Sequence, residues 1–477
     1  MNWRTSTTTL LTASACLLAL PLDAGPDRSK APRPVDPPGR DSILDWNAVA
    51  IEANRQDHSR TFGAPVQGGP TRSSRALAII HIAMYDAANS VDDYGDPFCG
   101  TYSGKDASLD AAVATAAYET LIALHPNQAD VFDDLYDEYL ADIASGAAKN
   151  KGIQVGRSAA RSILKQRKND GSDVAGVYTP TGAPGNHNVD PLNPNQGFLG
   201  PSWGKVKPFA LNRSFTFSPN PPPALGSEAY AHALNDVKDY GGDGDTTPTL
   251  RNDEETEIGI YWSYDGTRGL GTPPRLYNQI ARVIAIQEGN TELENAQLFA
   301  QLNIAMADAG IVCWGMKYTY NAWRPILGIR HADVDGNPDT GADPTWTPLG
   351  APASNQSGND FTPPFPAYPS GHATFGAASF RVIARFFETD DIAFTFLSDE
   401  LDGQTTDWLG NIRPASPRSF QSLSEAALEN ARSRIYLGVH WQFDADEGVR
   451  CGIDIGDFVA DTTIRCRHKR HHRNSGR

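Results

Sequence analysis

The chain has 477 residues, with 41 Lys and Arg against 57 Asp and Glu, giving a formal net charge of −16 with His neutral. That balance excludes a general nucleic-acid binder and a polybasic membrane-surface protein, both of which need a basic excess. Hydrophobic residues make up 40% and charged residues 21%, so the chain can bury a sizeable core, and 43 Gly with 34 Pro predict long, structured loops.

In chain order, residues 1–24 read as a signal peptide. Arg4 supplies a positive start, and 9–22 (TLLTASACLLALPL) is an apolar run too short to span a bilayer comfortably. Residues 25–44, rich in Pro and charge, read as a flexible leader. Ala- and Leu-rich segments with helical spacing follow from Asp45 onward, at 73–90, 108–124, 129–143 and 151–167. Residues 168–225 are rich in Gly, Pro and Asn and read as a long ordered loop, after which 227–240 is helical again. The second half predicts helices over 254–264, 277–288, 293–311, 371–388, 423–437 and 446–460, with a loop-rich insertion at 331–366.

Alternating strand patterns are scarce, so the predicted fold class is all-α, with two helix-bundle halves and long loops. The halves are an N-terminal helical domain over 45–245 and a C-terminal bundle over 246–463, followed by a basic disordered tail at 464–477. No later stretch approaches about 18 uninterrupted apolar residues, so no membrane span is expected, and the mature protein is expected to be secreted or periplasmic. Outside the signal peptide, Cys99, Cys313, Cys451 and Cys466 allow three pairings, among which the sequence does not choose. Asp333, Asp335, Asn337 and Asp339 alternate as in calcium loops, but Gly336 is misplaced and no Glu closes the loop, so a solvated turn is expected.

Three short stretches carry chemistry. Lys317 and Arg324-Pro325 place two cations about two helical turns apart, on nearly one face, with Pro325 ending or kinking the segment. Pro369-Ser370-Gly371-His372 runs into an Ala/Phe-rich helix, where free N–H groups and a Ser hydroxyl make an anion cradle. In the third stretch Arg434 and His440 are about 600° of helix apart, so Gly438 is expected to stop the helix and turn His440 back. Asp444, one helical turn further on, is placed to hold the His440 Nδ1–H and leave Nε2 free. Taken singly, the stretches also read as two cations on a solvated helix face, a capping Ser beside a core His, and an ordinary surface pair.

In order and spacing, Lys-x6-Arg-Pro, Pro-Ser-Gly-His and Ser-Arg-x5-His-x3-Asp resemble the signature shared by vanadium-dependent haloperoxidases and type 2 phosphatidic-acid-phosphatase-like acid phosphatases. The stretches PPFPAYPSGHATFGAA, ARSRIYLGVHWQFDA and YWSYDGTRGLGTPPRLYNQIARVIA resemble the chloroperoxidase branch. The resemblance is dense over 250–445 and thin over 45–240.

The resemblance implies vanadate as cofactor, held by Lys317, Arg324, Arg434, Ser370 and the Gly371 N–H. It also implies His440 as the vanadium ligand, Asp444 behind it, His372 as acid–base group with Lys317 polarising the bound peroxide, and Asp265 as partner of a pocket Arg. Phe365 and Trp314 would line a halide pocket. The implied substrates are hydrogen peroxide and a halide, chloride or bromide, giving hypohalous acid, with small organic acceptors behind it. The alternative reading is a secreted acid phosphatase with a phosphohistidine intermediate on His440. A silent binding protein is a third reading, and retention of the whole cationic set speaks against it.

Overall fold

The computed structural model describes residues 41–212, 217 and 219–465. The signal peptide, residues 25–40 of the leader and residues 466–477 of the tail, Cys466 among them, lie outside the described residues.

The fold begins at Asp41, whose carboxylate accepts the Leu44 N–H at 2.9 Å and caps helix α1 (Ser42–Ser59). The last four residues assigned to the leader are therefore the cap and first turn of α1, because Ile43 and Leu44 are buried in the core with Trp46. At the other end Ile464 is buried, and the Arg465 carbonyl accepts the Asp96 N–H at 3.0 Å. The first two residues of the expected tail thus belong to the fold.

Pro70 opens α2 (Gly69–Asp92), and Ser108 caps α3 (Leu109–Leu124). Helices α4 (Ala129–Ala141) and α5 (Ala147–Arg167) complete the first half, and α6 (Glu228–Tyr240) follows the long loop. The second half holds α7 (Asp253–Tyr261), α8 (Pro273–Gln287), α9 (Glu292–Tyr320), α10 (Pro325–Arg330), α11 (Gly371–Phe387), α12 (Leu423–Tyr436) and α13 (Gln442–Thr462). Among the described residues one short antiparallel pair, β1 (Phe394–Phe396) with β2 (Arg418–Phe420), sets Thr395 opposite Ser419. The all-α expectation holds.

Helix α9 is the axis of the molecule. The spacing predicts a helix over 293–311, yet it continues to Tyr320, since Cys313, Trp314, Met316 and Lys317 stay buried. Thr291 and Glu294 close its start as a capping box, and Asn321 ends it at φ 54°. By length and composition α9 is apolar enough to cross a membrane, but 89% of its most apolar window is buried inside the protein. It packs on α2 of the first half and on α11 and α13 of the second, so one hydrophobic core runs through both halves.

Glycines set the closest helix contacts. Gly448, Gly452 and Gly456 recur every four residues along α13 and face α11. A Cβ on them would stand 2.8 Å from the Ser370 oxygen, 2.5 Å from the Thr374 oxygen and 3.0 Å from the Ala378 oxygen. In the first half, a Cβ at Gly156 of α5 would stand 2.2 Å from the Ala112 oxygen of α3.

Cys99, Cys313 and Cys451 are free thiols. Each of the three complete pairings needs a bridge between two of these, so none of them is formed. The 333–339 segment is largely exposed, as the solvated turn predicts, but two of its polar residues turn inward. Asp335 and Asn337 are buried, and Asp335 Oδ1 accepts the Asn337 N–H at 2.7 Å. No group of metal-ligating side chains occurs among the described residues.

The α11–α13 contact yields a test. Gly452→Leu is expected to lower stability by about 3 kcal/mol, since the helices must separate to admit the side chain. Urea unfolding of the variant beside the parent protein measures it.

Candidate active site

Three chain reversals deliver the polar residues to one place. Lys317 lies in the last turn of α9, and Arg324 is the residue that precedes Pro325 at the start of α10. The two cations do not share one helix face, as their spacing predicts, because the helix stops at Tyr320. The left-handed Asn321 returns its N–H to the Lys317 carbonyl at 2.9 Å, and the Trp323 N–H is taken by the Gly185 carbonyl at 2.9 Å.

Ser370 caps α11 and puts Gly371 and His372 in its first turn. The absent side chain of Gly371 makes room for Trp314, since a Cβ there would meet the indole at 3.3 Å. As expected, α12 ends just before Gly438, which turns the chain at φ 70° and leaves His440 ahead of α13. That turn is tight, for a Cβ at Gly438 would stand 2.4 Å from the Gly241 oxygen. The second and third stretches meet directly, the Ser370 N–H donating to the Asp444 carbonyl at 2.8 Å.

Lys317, Arg324 and Arg434 are all fully buried. Lys317 Nζ donates to the carbonyls of Pro366 (3.0 Å), Ala367 (2.9 Å) and Pro369 (2.5 Å), which uses all three ammonium protons. It also lies 5.0 Å from the Phe365 ring centre and 5.6 Å from that of Trp314. Arg324 donates through Nε to the Phe365 carbonyl at 2.8 Å, and through Nη1 to the Val439 carbonyl at 2.7 Å and His440 Nε2 at 2.9 Å. Arg434 Nη2 reaches both Asp265 oxygens, at 2.9 and 3.1 Å. Arg324 Nη2, Arg434 Nε and Arg434 Nη1 are buried with no partner.

The donor pattern fixes the imidazole tautomers. A guanidinium can only donate, so His440 Nε2 carries the lone pair and Nδ1 carries the proton given to Asp444 Oδ2 at 2.9 Å. Asp444 Oδ2 also accepts the Trp441 N–H at 3.0 Å. His372 Nε2 donates to the Ser263 carbonyl at 2.6 Å, which leaves Nδ1 as its basic nitrogen.

Burial governs the charges. It lowers Lys317 to about 7, with Arg324 and Arg434 also acting against its proton. Burial, then the charge of Arg434, brings Arg324 down to about 9. His372 falls to about 3 through burial and then Arg434, and His440 falls well below the imidazole range through burial and then Arg324 and Lys317. Asp444 rises to about 7 by burial, against the Trp441 hydrogen bond and the cations. The cluster is therefore positive, with two neutral imidazoles.

A cavity of about 740 Å³ opens on this cluster, lined by Asp265, Trp314, Phe365, Gly371, His372, Arg434 and His440. Trp314 and Phe365 pack with ring centres 4.7 Å apart. Lys317, Arg324 and Ser370 do not line the cavity but back it through the Phe365 ring, His440 and Asp444. The opposite wall comes from 58–72, in the first half, where sequence reasoning assigns no functional residue. The Gly/Pro-rich run between α1 and α2 is the one signal there. His187 was likewise missed; it is buried against this cluster with neither ring nitrogen partnered, and burial, Arg324 and Lys317 lower it to about 3.

Comparison with known proteins places this geometry. The chain is 35% identical to the vanadium chloroperoxidase of Curvularia inaequalis, over 84% of its own length and 79% of that protein. It belongs to the vanadium chloroperoxidase family. The family's N-terminal domain model matches residues 39–197, and its second helical-bundle domain model matches 297–469. Among solved structures, a bacterial vanadium-dependent iodoperoxidase shares the fold at TM-score 0.72 and 24% identity, covering 91% of this chain and all of that one. A holo-type bacterial vanadium-dependent chloroperoxidase does so at TM-score 0.62 and 18% identity, covering 84% of this chain and 94% of its own.

The Lys317 value sets a pH dependence for this family member. Its folded pKa is depressed to about 7, so the site loses that charge as pH rises through about 7. Inorganic phosphate should bind more weakly from pH 6 to pH 9 by up to about tenfold per unit through this group. Lys317→Arg, which stays charged, should remove that part of the slope. Calorimetric titration of the parent and variant side by side checks it.

Proposed function

We propose that this cationic cluster binds vanadate and that the enzyme uses it to oxidise halide with hydrogen peroxide, releasing hypohalous acid. The observation that carries the site assignment is the set of three buried guanidinium donors without partners, on Arg324 and Arg434. Leaving such donors unmet costs free energy that an oxyanion in contact with them recovers. The residues fit vanadate: it is small, anionic and rich in acceptors, and the site offers donors almost throughout.

Arg324 and Arg434 hold oxyanion oxygens through their spare N–H groups, and Ser370 Oγ and the Gly371 N–H at the α11 start complete the cradle. Lys317 adds a point charge, exchanging one carbonyl contact for the anion. The His440 Nε2 lone pair, which accepts from Arg324 here, is the one available to vanadium. Asp444 holds the tautomer that leaves it free. Bound vanadate supplies the Lewis-acid centre that activates peroxide toward halide. His372 takes and returns a proton at Nδ1 while Ser263 anchors its other nitrogen. Asp265 holds Arg434 in place against its neighbouring cations. Phe365 and Trp314 form the apolar wall beside Lys317, which supports chloride and bromide as the halides. The acid phosphatase reading is not favoured, given the kinship with a vanadium chloroperoxidase.

Export is part of the same proposal, supported by Arg4 and the apolar run at 9–22.

Stripped of oxyanions and then assayed with and without orthovanadate, the enzyme should oxidise halide only with it. Phosphoester hydrolysis by the bare protein, without vanadate-dependent halide oxidation, would sink the reading. His440→Ala should abolish stoichiometric vanadate titration. His372→Ala should keep vanadate and slow halide oxidation by about 100-fold or more; an unchanged rate would remove His372 from the chemistry.

A further inference from the structure

The cavity is far larger than the established substrates need. Water-sized guests such as a halide or hydrogen peroxide take about 30 Å³ each, whereas this space is about 740 Å³, within the range that holds whole organic ligands. Its lining includes Pro65, Val66, Pro70, Leu199 and Phe361, all partly exposed, which make an apolar stretch toward solvent, and the buried Phe365. Two arginines from the first half, Arg60 and Arg72, line the same space.

Neither arginine is matched by a carboxylate among the described residues. Arg60 is exposed and has no side-chain partner. Arg72 gives Nη2 to the Ser172 carbonyl at 2.9 Å and lies 5.8 Å from the Trp203 ring centre. The one carboxylate in the lining, Asp265, is held by Arg434. In a chain of net charge −16, two uncompensated guanidiniums on one apolar cavity are out of balance with the surface as a whole.

We infer that the outer cavity binds an organic halogen acceptor, an electron-rich aromatic ring bearing a carboxylate. The ring lies on the Phe361 and Phe365 side, and Arg60 with Arg72 takes the carboxylate. This rests on the haloperoxidase reading, because the halogen comes from hypohalous acid made at the cationic cluster. The oxygen–halogen bond breaks, a carbon–halogen bond forms on the ring, and the ring proton leaves with hydroxide as water. The ring carbon is oxidised and the halogen is reduced. Fork-shaped guanidiniums suit a carboxylate, and the apolar wall suits the ring.

Three phenols of matched shape test this on the vanadate-loaded enzyme: para-hydroxyphenylacetate, its primary amide, and tyramine. The carboxylate should saturate with KM about tenfold below the amide, and tyramine should be poorest. In the R60Q/R72Q double variant the carboxylate and amide should come within about twofold, and a thermal melt beside the parent's shows the variant to be folded. Calorimetry without peroxide should show the same loss in para-hydroxyphenylacetate binding.

Product ratios equal to those from added hypohalous acid, in parent and variant alike, would overturn the inference. So would a raised halide KM with unchanged acceptor discrimination, which would make the pair a halide-steering device. If no acceptor is halogenated because halide is not oxidised, the haloperoxidase reading fails. The calorimetric comparison then still decides the carboxylate site.

Discussion

Everything in this protein is arranged around holding three cations out of water. Lys317, Arg324 and Arg434 are fully buried, and among the described residues only Arg434 has a carboxylate within ion-pair distance. Taking such charges into a low-dielectric interior is costly unless their donors are met. The fold meets part of the demand with main-chain oxygens, from Pro366, Ala367 and Pro369 for Lys317 and from Phe365 and Val439 for Arg324. The remaining donors stay unpartnered, and that deficit is what an oxyanion fills. Because the demand is for carbonyls in fixed places, irregular chain is needed at the site, and the loop over 361–369 supplies it.

Irregular chain is held only where rigid elements grip it. Here the grip comes from α9, α11 and α13, which meet in one core shared by both halves. The glycine row on α13 lets it touch the α11 backbone, and this close approach sets Ser370 against Asp444. Helix packing and site geometry are thus one constraint. A methylene inserted between the helices would be felt at the anion cradle.

Much of this was legible in the chain itself. The three stretches, the turn at Gly438, the pairing of His440 with Asp444 and that of Asp265 with a pocket arginine all follow from local spacing or from family resemblance. Local spacing failed where the outcome depends on a partner far away in sequence. Lys317 and Arg324 look like one helix face, yet Asn321 and the Gly185 carbonyl reverse the chain between them. The repeat of Gly448, Gly452 and Gly456 was visible, but period-four glycine reads as a weak helix until a neighbouring backbone is seen against it.

What the sequence by itself determined is the chemistry: which side chains carry charge, which imidazole has a carboxylate one turn away, and which helix starts can cradle an anion. These depend on residue type and short-range geometry, which the chain carries along its length. Tertiary structure alone decided that the cations are buried rather than solvated, which tautomer His372 holds, and that 58–72 of the first half walls the cavity. Desolvation and cavity shape are properties of elements brought together across hundreds of residues, and no local spacing encodes them. The net charge of −16 describes the surface of the protein, while its interior is organised around the opposite sign.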